Sequence, residues 1–121
     1  MYARGSWSGI PTAISDVQIY DPSAGANRTW TVSAAALPTA EFAGSAALLS
    51  NGKVLFAGGE TIASGVVTPL STAYLFDPSS ATITATGSLS ASRYNTGIAV
   101  LSNGSVLVGG GTGELNGQLV P

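Results

Sequence analysis

The residues that could do chemistry in this chain are few: the carboxylates Asp21, Asp77, Glu41, Glu60 and Glu114, the guanidinium of Arg93, and the indole of Trp7. Asp21 and Asp77 each precede a proline, so either could ligate a metal, or simply cap the turn that Asp-Pro opens. Glu41, Glu60 and Glu114 are too far apart in sequence to be read as a general acid/base pair. Glu60 and Glu114 each follow a Gly-Gly strand terminus, which would put both on one rim of the fold as ligand contacts or as solvated charges. Arg93 stands in a charge-poor stretch, where a guanidinium either anchors backbone carbonyls between neighbouring structural units or faces a ligand. Trp7, with Tyr2, could stack on a sugar ring or pack against a neighbouring element. The candidate ligand-binding residues are therefore Arg93, Glu60, Glu114 and Trp7; no catalytic, cofactor-binding or metal-binding residue is assigned, and no cofactor is expected.

Composition narrows the chemistry further. The 121 residues include no cysteine and no histidine. Disulfides, thiolate metal sites and a cysteine nucleophile are thereby excluded, and the commonest general base and metal ligand is missing. Four basic residues and a net charge of −2 offer no counterion-releasing patch, so nucleic acid is not an expected partner. The uncharged run 94–113 is long enough to consider as a membrane span. Its Asn-Gly turn and glycines predict two short strands instead. Gly109–Gly111 is not followed by Lys-Ser/Thr or by a helix pattern, so a strand terminus accounts for it better than a phosphate cradle.

The elements that must position these residues are written twice. "LLSNGKVLFAGGE" (48–60) and "VLSNGSVLVGGGT" (100–112) align at an offset of 52, which extends back to pair Phe42 with Tyr94 and Leu37 with Leu89. A second shared phrase, an aromatic residue followed by Asp-Pro-Ser, recurs at Tyr20–Ser23 and Phe76–Ser79 with an offset of 56. Fixed order with variable loop length marks a structural repeat. Each unit reads as an apolar strand, a two-residue Asn-Gly hairpin turn, and a strand apolar enough to be buried on both faces. A polar Gly/Ser/Thr loop ("ETIASGVVTPLS"), a strand ending at Asp-Pro, and a last strand complete it. Four antiparallel strands at a period near fifty predict an all-β fold built of propeller blades.

These phrases resemble kelch repeats, in the bacterial form related to the central domain of galactose oxidase. Trp30 lies where such repeats place a tryptophan after the Asp-Pro turn, with Ile83 in the second copy. Arg93 and Tyr94 match the Arg-aromatic pair that opens a repeat, where the first copy has Glu41 and Phe42. The resemblance spans about Val17 to Gly111 and implies a kelch-type β-propeller. The copper-radical site of galactose oxidase uses histidines, tyrosines and a cysteine, so none of its catalytic positions carries over to this chain.

The phase of the repeat predicts strands three and four of one blade over 16–37, a complete blade over 42–89, and strands one and two of the next over 94–111. Half, whole and half make about two blade equivalents, which cannot close a ring. Either the chain is part of a larger propeller, or copies assemble head to tail, three giving six blades and four giving eight. The expected partners are thus the missing blades or further copies of itself, together with a protein or glycan ligand. The function implied is a non-catalytic segment presenting loops for protein or carbohydrate binding. The alternative is a blade-forming fragment of a secreted galactose-oxidase-like or other carbohydrate-active enzyme. Low charge and abundant Ser and Thr suit an extracellular or cell-surface bacterial protein.

Overall fold

The alternating apolar patterns and Asn-Gly signals do produce an all-β chain. A computed structural model describes residues 12–27, 29–115 and 118–120. Its strands are β1 (Ile14–Tyr20), β2 (Trp30–Glu41), β3 (Ser45–Leu48), β4 (Val54–Ala57), β5 (Glu60–Ala63), β6 (Val66–Pro69) and β7 (Ala73–Asp77). They continue with β8 (Thr82–Ala85), β9 (Arg93–Tyr94), β10 (Gly97–Val100), β11 (Val106–Gly109), β12 (Thr112–Leu115) and β13 (Gln118–Val120). One 3-10 turn, Gly25–Asn27, interrupts them. No helix among the described residues is long and apolar enough to cross a membrane.

The centre is a four-stranded antiparallel sheet in the order β3-β4-β7-β8. Its register runs Leu48↔Val54 at the first hairpin, Val54↔Phe76 and Leu55↔Leu75 in the middle, and Phe76↔Ile83 at the last pair. On one side lies the hairpin β1-β2, whose Val17 and Ile19 line an apolar cleft with Val54, Phe56 and Phe76. The hairpin β10-β11 meets the sheet through β3. The core is small: Ala57, Ala73, Tyr74 and Phe76 are buried, and no large side chain among the described residues is completely so. Withdrawing Phe76 from water contributes about 2 kcal/mol.

The repeat is structural as well as textual. Phe42 bridges Glu60 just as Tyr94 pairs with Thr112, 52 residues on in both strands. Ala43 and Asn95, again 52 apart, both take left-handed backbone angles (φ 56° and 54°).

The hairpins differ from the sequence expectation in three respects. The Asn-Gly turn is not the two-residue type with both residues at positive φ. Only Gly52 and Gly104 are left-handed, at +82° and +85°. The Gly52 amide donates to the Leu49 carbonyl, and the Leu49 amide donates to the Lys53 carbonyl. This is a three-residue loop, a tight turn followed by a glycine bulge. The reason is local: Asn51 spends its side-chain oxygen accepting the Lys53 amide at 3.1 Å, and Asn103 does the same for Ser105 at 3.0 Å. Residues 60–69 are not an irregular loop either. They form the hairpin β5-β6, turning at left-handed Ser64 and Gly65, and β12-β13 is its counterpart. The Gly-Gly strands are also less enclosed than their apolar sequence suggests: β4 is mostly half-buried, and Leu107 on β11 is 57% exposed.

Candidate functional site

In both Asp-Pro turns the carboxylate is engaged by the serine two residues on. One oxygen of Asp21 accepts the Ser23 amide at 2.7 Å and the Ser23 hydroxyl at 2.6 Å. Asp77 repeats this with Ser79, at 2.9 and 2.6 Å. These hydrogen bonds, the hydroxyl's foremost, hold both carboxyls below the usual aspartate range. Lys53 lies 3.4 Å from Asp77 across the sheet and acts in the same direction. Capping explains both residues without a ligand. Among the described residues no group of three metal-ligating side chains occurs.

Arg93 and Glu114 line one cleft along the β9-β12 pairing. Arg93 stands opposite Gly113, so strand alternation turns the Glu114 side chain to the other face of the pair. The cleft, about 260 Å³, is also lined by Ala91, Ser92, Gly110, Gly111, Gly113 and Val120. The Arg93 guanidinium reaches across to the Gly110 carbonyl at 3.2 Å, leaving further donors toward the cleft. Gly113 is required there, since a side-chain carbon would come within 2.6 Å of the Ser92 carbonyl. Glu114 is exposed. A guanidinium with spare donors in a shallow, glycine-rich cleft can recognise a polar ligand through several hydrogen bonds.

Glu60 is not in that cleft. It is 7% exposed at the start of β5, where its amide and carbonyl exchange bonds with Phe42 at 2.9 and 3.0 Å. Burial raises its carboxyl above the ordinary glutamate range. Nor are Glu60 and Glu114 counterparts on one rim. The offset of 52 matches Glu60 with Thr112 and Glu114 with Ile62. The two carboxylates sit on different strands, β5 and β12, at positions two residues apart in the repeat, one buried and one in solvent. Trp7 and Tyr2 lie outside the described residues.

Glu41 is the residue whose role was least visible. It occupies the Arg93 position of the first copy, is 9% exposed, and its Oε2 has no hydrogen-bond partner among the described residues. Burial raises its carboxyl. Its other oxygen lies beside Gly44. Where one repeat puts a guanidinium bonded to a glycine carbonyl, the other puts a buried acid. The offset itself was the available signal, since it aligns Glu41 with Arg93.

The junction between repeats is polar and specific. The Ser45 hydroxyl donates to the Thr96 carbonyl at 2.8 Å and lies 2.7 Å from the Thr96 hydroxyl. The Asn95 amide donates to the Ala43 carbonyl, and the Gly59 amide to the Arg93 carbonyl, both at 2.9 Å. These bonds tie the opening of one unit to both the opening and the Gly-Gly corner of the one before. No family model matches this chain, and no curated protein matches it.

Proposed function

We propose that the chain is a non-catalytic segment of a kelch-type propeller, presenting loop-end surfaces for a protein or carbohydrate ligand. The four-stranded sheet β3-β4-β7-β8 is the complete blade of this reading, flanked by half of one before and half of one after. The observation that carries the ligand-binding part is the glycine-rich cleft beside which the Arg93 guanidinium is held by the Gly110 carbonyl. A planar cation with spare donors, on a surface otherwise nearly free of charge, suits a ligand that offers several hydrogen-bond acceptors. Sugar hydroxyls and peptide amides both have that character.

The test is a calorimetric titration of neutral and acidic oligosaccharides and of short peptides into the whole chain, repeated on Glu114→Gln and Arg93→Gln. Glu114 is exposed and turned to the other face, so its variant keeps the fold and serves as the control. The reading requires a ligand whose affinity falls about tenfold, some 1.4 kcal/mol, in an Arg93 variant shown to be folded by circular dichroism. Binding that ignores both substitutions would place the recognition surface elsewhere and reject this site.

A further inference from the structure

The four-stranded sheet is also a template for two edges that are left open. Among the described residues β1 pairs only with β2, and β11 pairs only with β10. In the central sheet the counterparts of these free edges, β7 and β4, pair with each other. β11 is the counterpart of β4 at an offset of 52, and β1 that of β7 at an offset of 56. Each hairpin lacks the half that the other supplies.

Exposure of matched residues follows the same division. Phe76 is 4% exposed, and its counterpart Tyr20 is 39% exposed. Leu55 is half-buried, whereas its counterpart Leu107 is exposed. Trp30, opposite Tyr20 as Ile83 is opposite Phe76, is 65% exposed and stacks only on Tyr20, ring centres 5.3 Å apart. Val17–Tyr20 and Val106–Gly109 contain no charge and no proline, two of the usual devices against edge pairing; on β1 the charge of Asp16 and the register shifts flank this stretch on its N-terminal side.

The hydrogen-bonding groups are aimed correctly as well. Counting from the bond between the Leu101 amide and the Ser105 carbonyl, antiparallel alternation turns the amides of Val106 and Val108 away from β10. The bond from the Thr86 amide to the Ala73 carbonyl likewise turns Tyr74 and Phe76 toward β4, and so their counterparts Gln18 and Tyr20 toward open solvent.

We propose that a second copy of this chain completes the sheet, its β1 pairing antiparallel with β11 of the first. Copying the register of β4 and β7 sets Val106 opposite Tyr20, Leu107 opposite Ile19, Val108 opposite Gln18 and Gly109 opposite Val17. The contact is head to tail, so it repeats from copy to copy and closes into a ring with two sheet equivalents per chain. It rests on the repeat geometry underlying the proposed function and not on the Arg93 cleft, so ligand binding and assembly can fail independently.

The absence of native cysteine makes the register directly testable. The whole chain carrying Ile19→Cys is mixed with the whole chain carrying Leu107→Cys under mild oxidation, with light scattering on the wild type. Leu107 and Ile19 take the places of a directly opposed, non-hydrogen-bonded pair, whose spacing suits a disulfide. The expected result is a crosslinked heterodimer at least about tenfold above a Gln18→Cys and Leu107→Cys mixture, whose side chains point to opposite faces. Wild type should scatter as three or four times the 12.0 kDa chain. Gln18→Pro removes an outward amide from an exposed edge position, and should yield a folded monomer by circular dichroism and light scattering. A wild-type monomer overturns the proposal. So does equal crosslinking in both mixtures, which would mean unregistered edge aggregation, or a Gln18→Pro protein that still assembles.

Discussion

Replacing Gly58 by alanine tests whether the corner between repeats is held by the contacts described above. Gly58 has φ +68°, so any side chain there costs about 1–2 kcal/mol of left-handed strain. An added carbon would also collide with the Arg93 carbonyl oxygen and rest 3.4 Å from Leu89. That carbonyl is the acceptor of the Gly59 amide, and the Arg93 amide in turn donates to Leu70 at 3.0 Å. The obstructing atom is the Arg93 backbone oxygen, so the collision cannot be relieved by turning a side chain. Relief by moving the strand adds about 1–3 kcal/mol of overpacking and weakens one or two bonds worth about 1 kcal/mol each. The Gly58→Ala variant should therefore lose about 3–5 kcal/mol. Gly52→Ala is the control: it has a similar angle, φ +82°, and nothing within 4 Å of the added carbon. Its loss should be the strain alone, about 1–2 kcal/mol. Both are measured by urea unfolding at one fixed protein concentration, because stability of a self-associating chain depends on concentration. If Gly58→Ala costs no more than Gly52→Ala, the contact across the corner is not what holds the repeats together.

Ala43 takes a left-handed angle without the side chain for it, and its counterpart is Asn95; Ala43→Asn should raise stability by about 0.5–1 kcal/mol, read as a higher urea midpoint. Ser45→Ala removes the reciprocal bonds to Thr96 and should cost about 1–2 kcal/mol, with the same measurement. Glu41 and Glu60 have carboxyls raised by burial, so their contribution to stability is fullest below about pH 4.5 and is lost as pH rises through their higher native values. Glu41→Gln should flatten that decline, and Glu41→Arg should further raise the midpoint at neutral pH by supplying a donor to the Gly58 carbonyl. Asp21 and Asp77 are lowered, so their contribution is present above about pH 3.8 and fades as pH falls through the depressed values. Asp77→Asn should remove part of that acid limb in unfolding curves taken as a function of pH.

Much of this architecture was legible because it is local or periodic. Strand patterns, Asn-Gly signals and a fixed offset were sufficient to place β3, β4, β10 and β11 and to match them pairwise. The Asp-Pro-Ser caps were legible too, since each needs only a side chain two residues from its partner. The hairpin β5-β6 was missed because its polar, glycine-containing sequence carries a loop's composition. What makes it a hairpin is the pairing of Glu60–Ala63 with Val66–Pro69 around left-handed Ser64 and Gly65, and the bridge from Phe42 to Glu60, 18 positions away, anchors it.

Sequence alone therefore determined the all-β class, the repeat and the spacing at which its parts recur, since short-range turn chemistry and strand alternation depend on neighbouring residues. Tertiary structure alone decided which chemistry-bearing groups share a surface. It held the Arg93 guanidinium on the Gly110 carbonyl at the edge of a glycine-rich cleft, and it buried Glu60. It also buried Glu41 without a partner for its Oε2 among the described residues, where the repeat counterpart is a bonded arginine. Burial and strand pairing couple residues far apart in the chain, and only the folded backbone specifies which of two equivalent positions is covered.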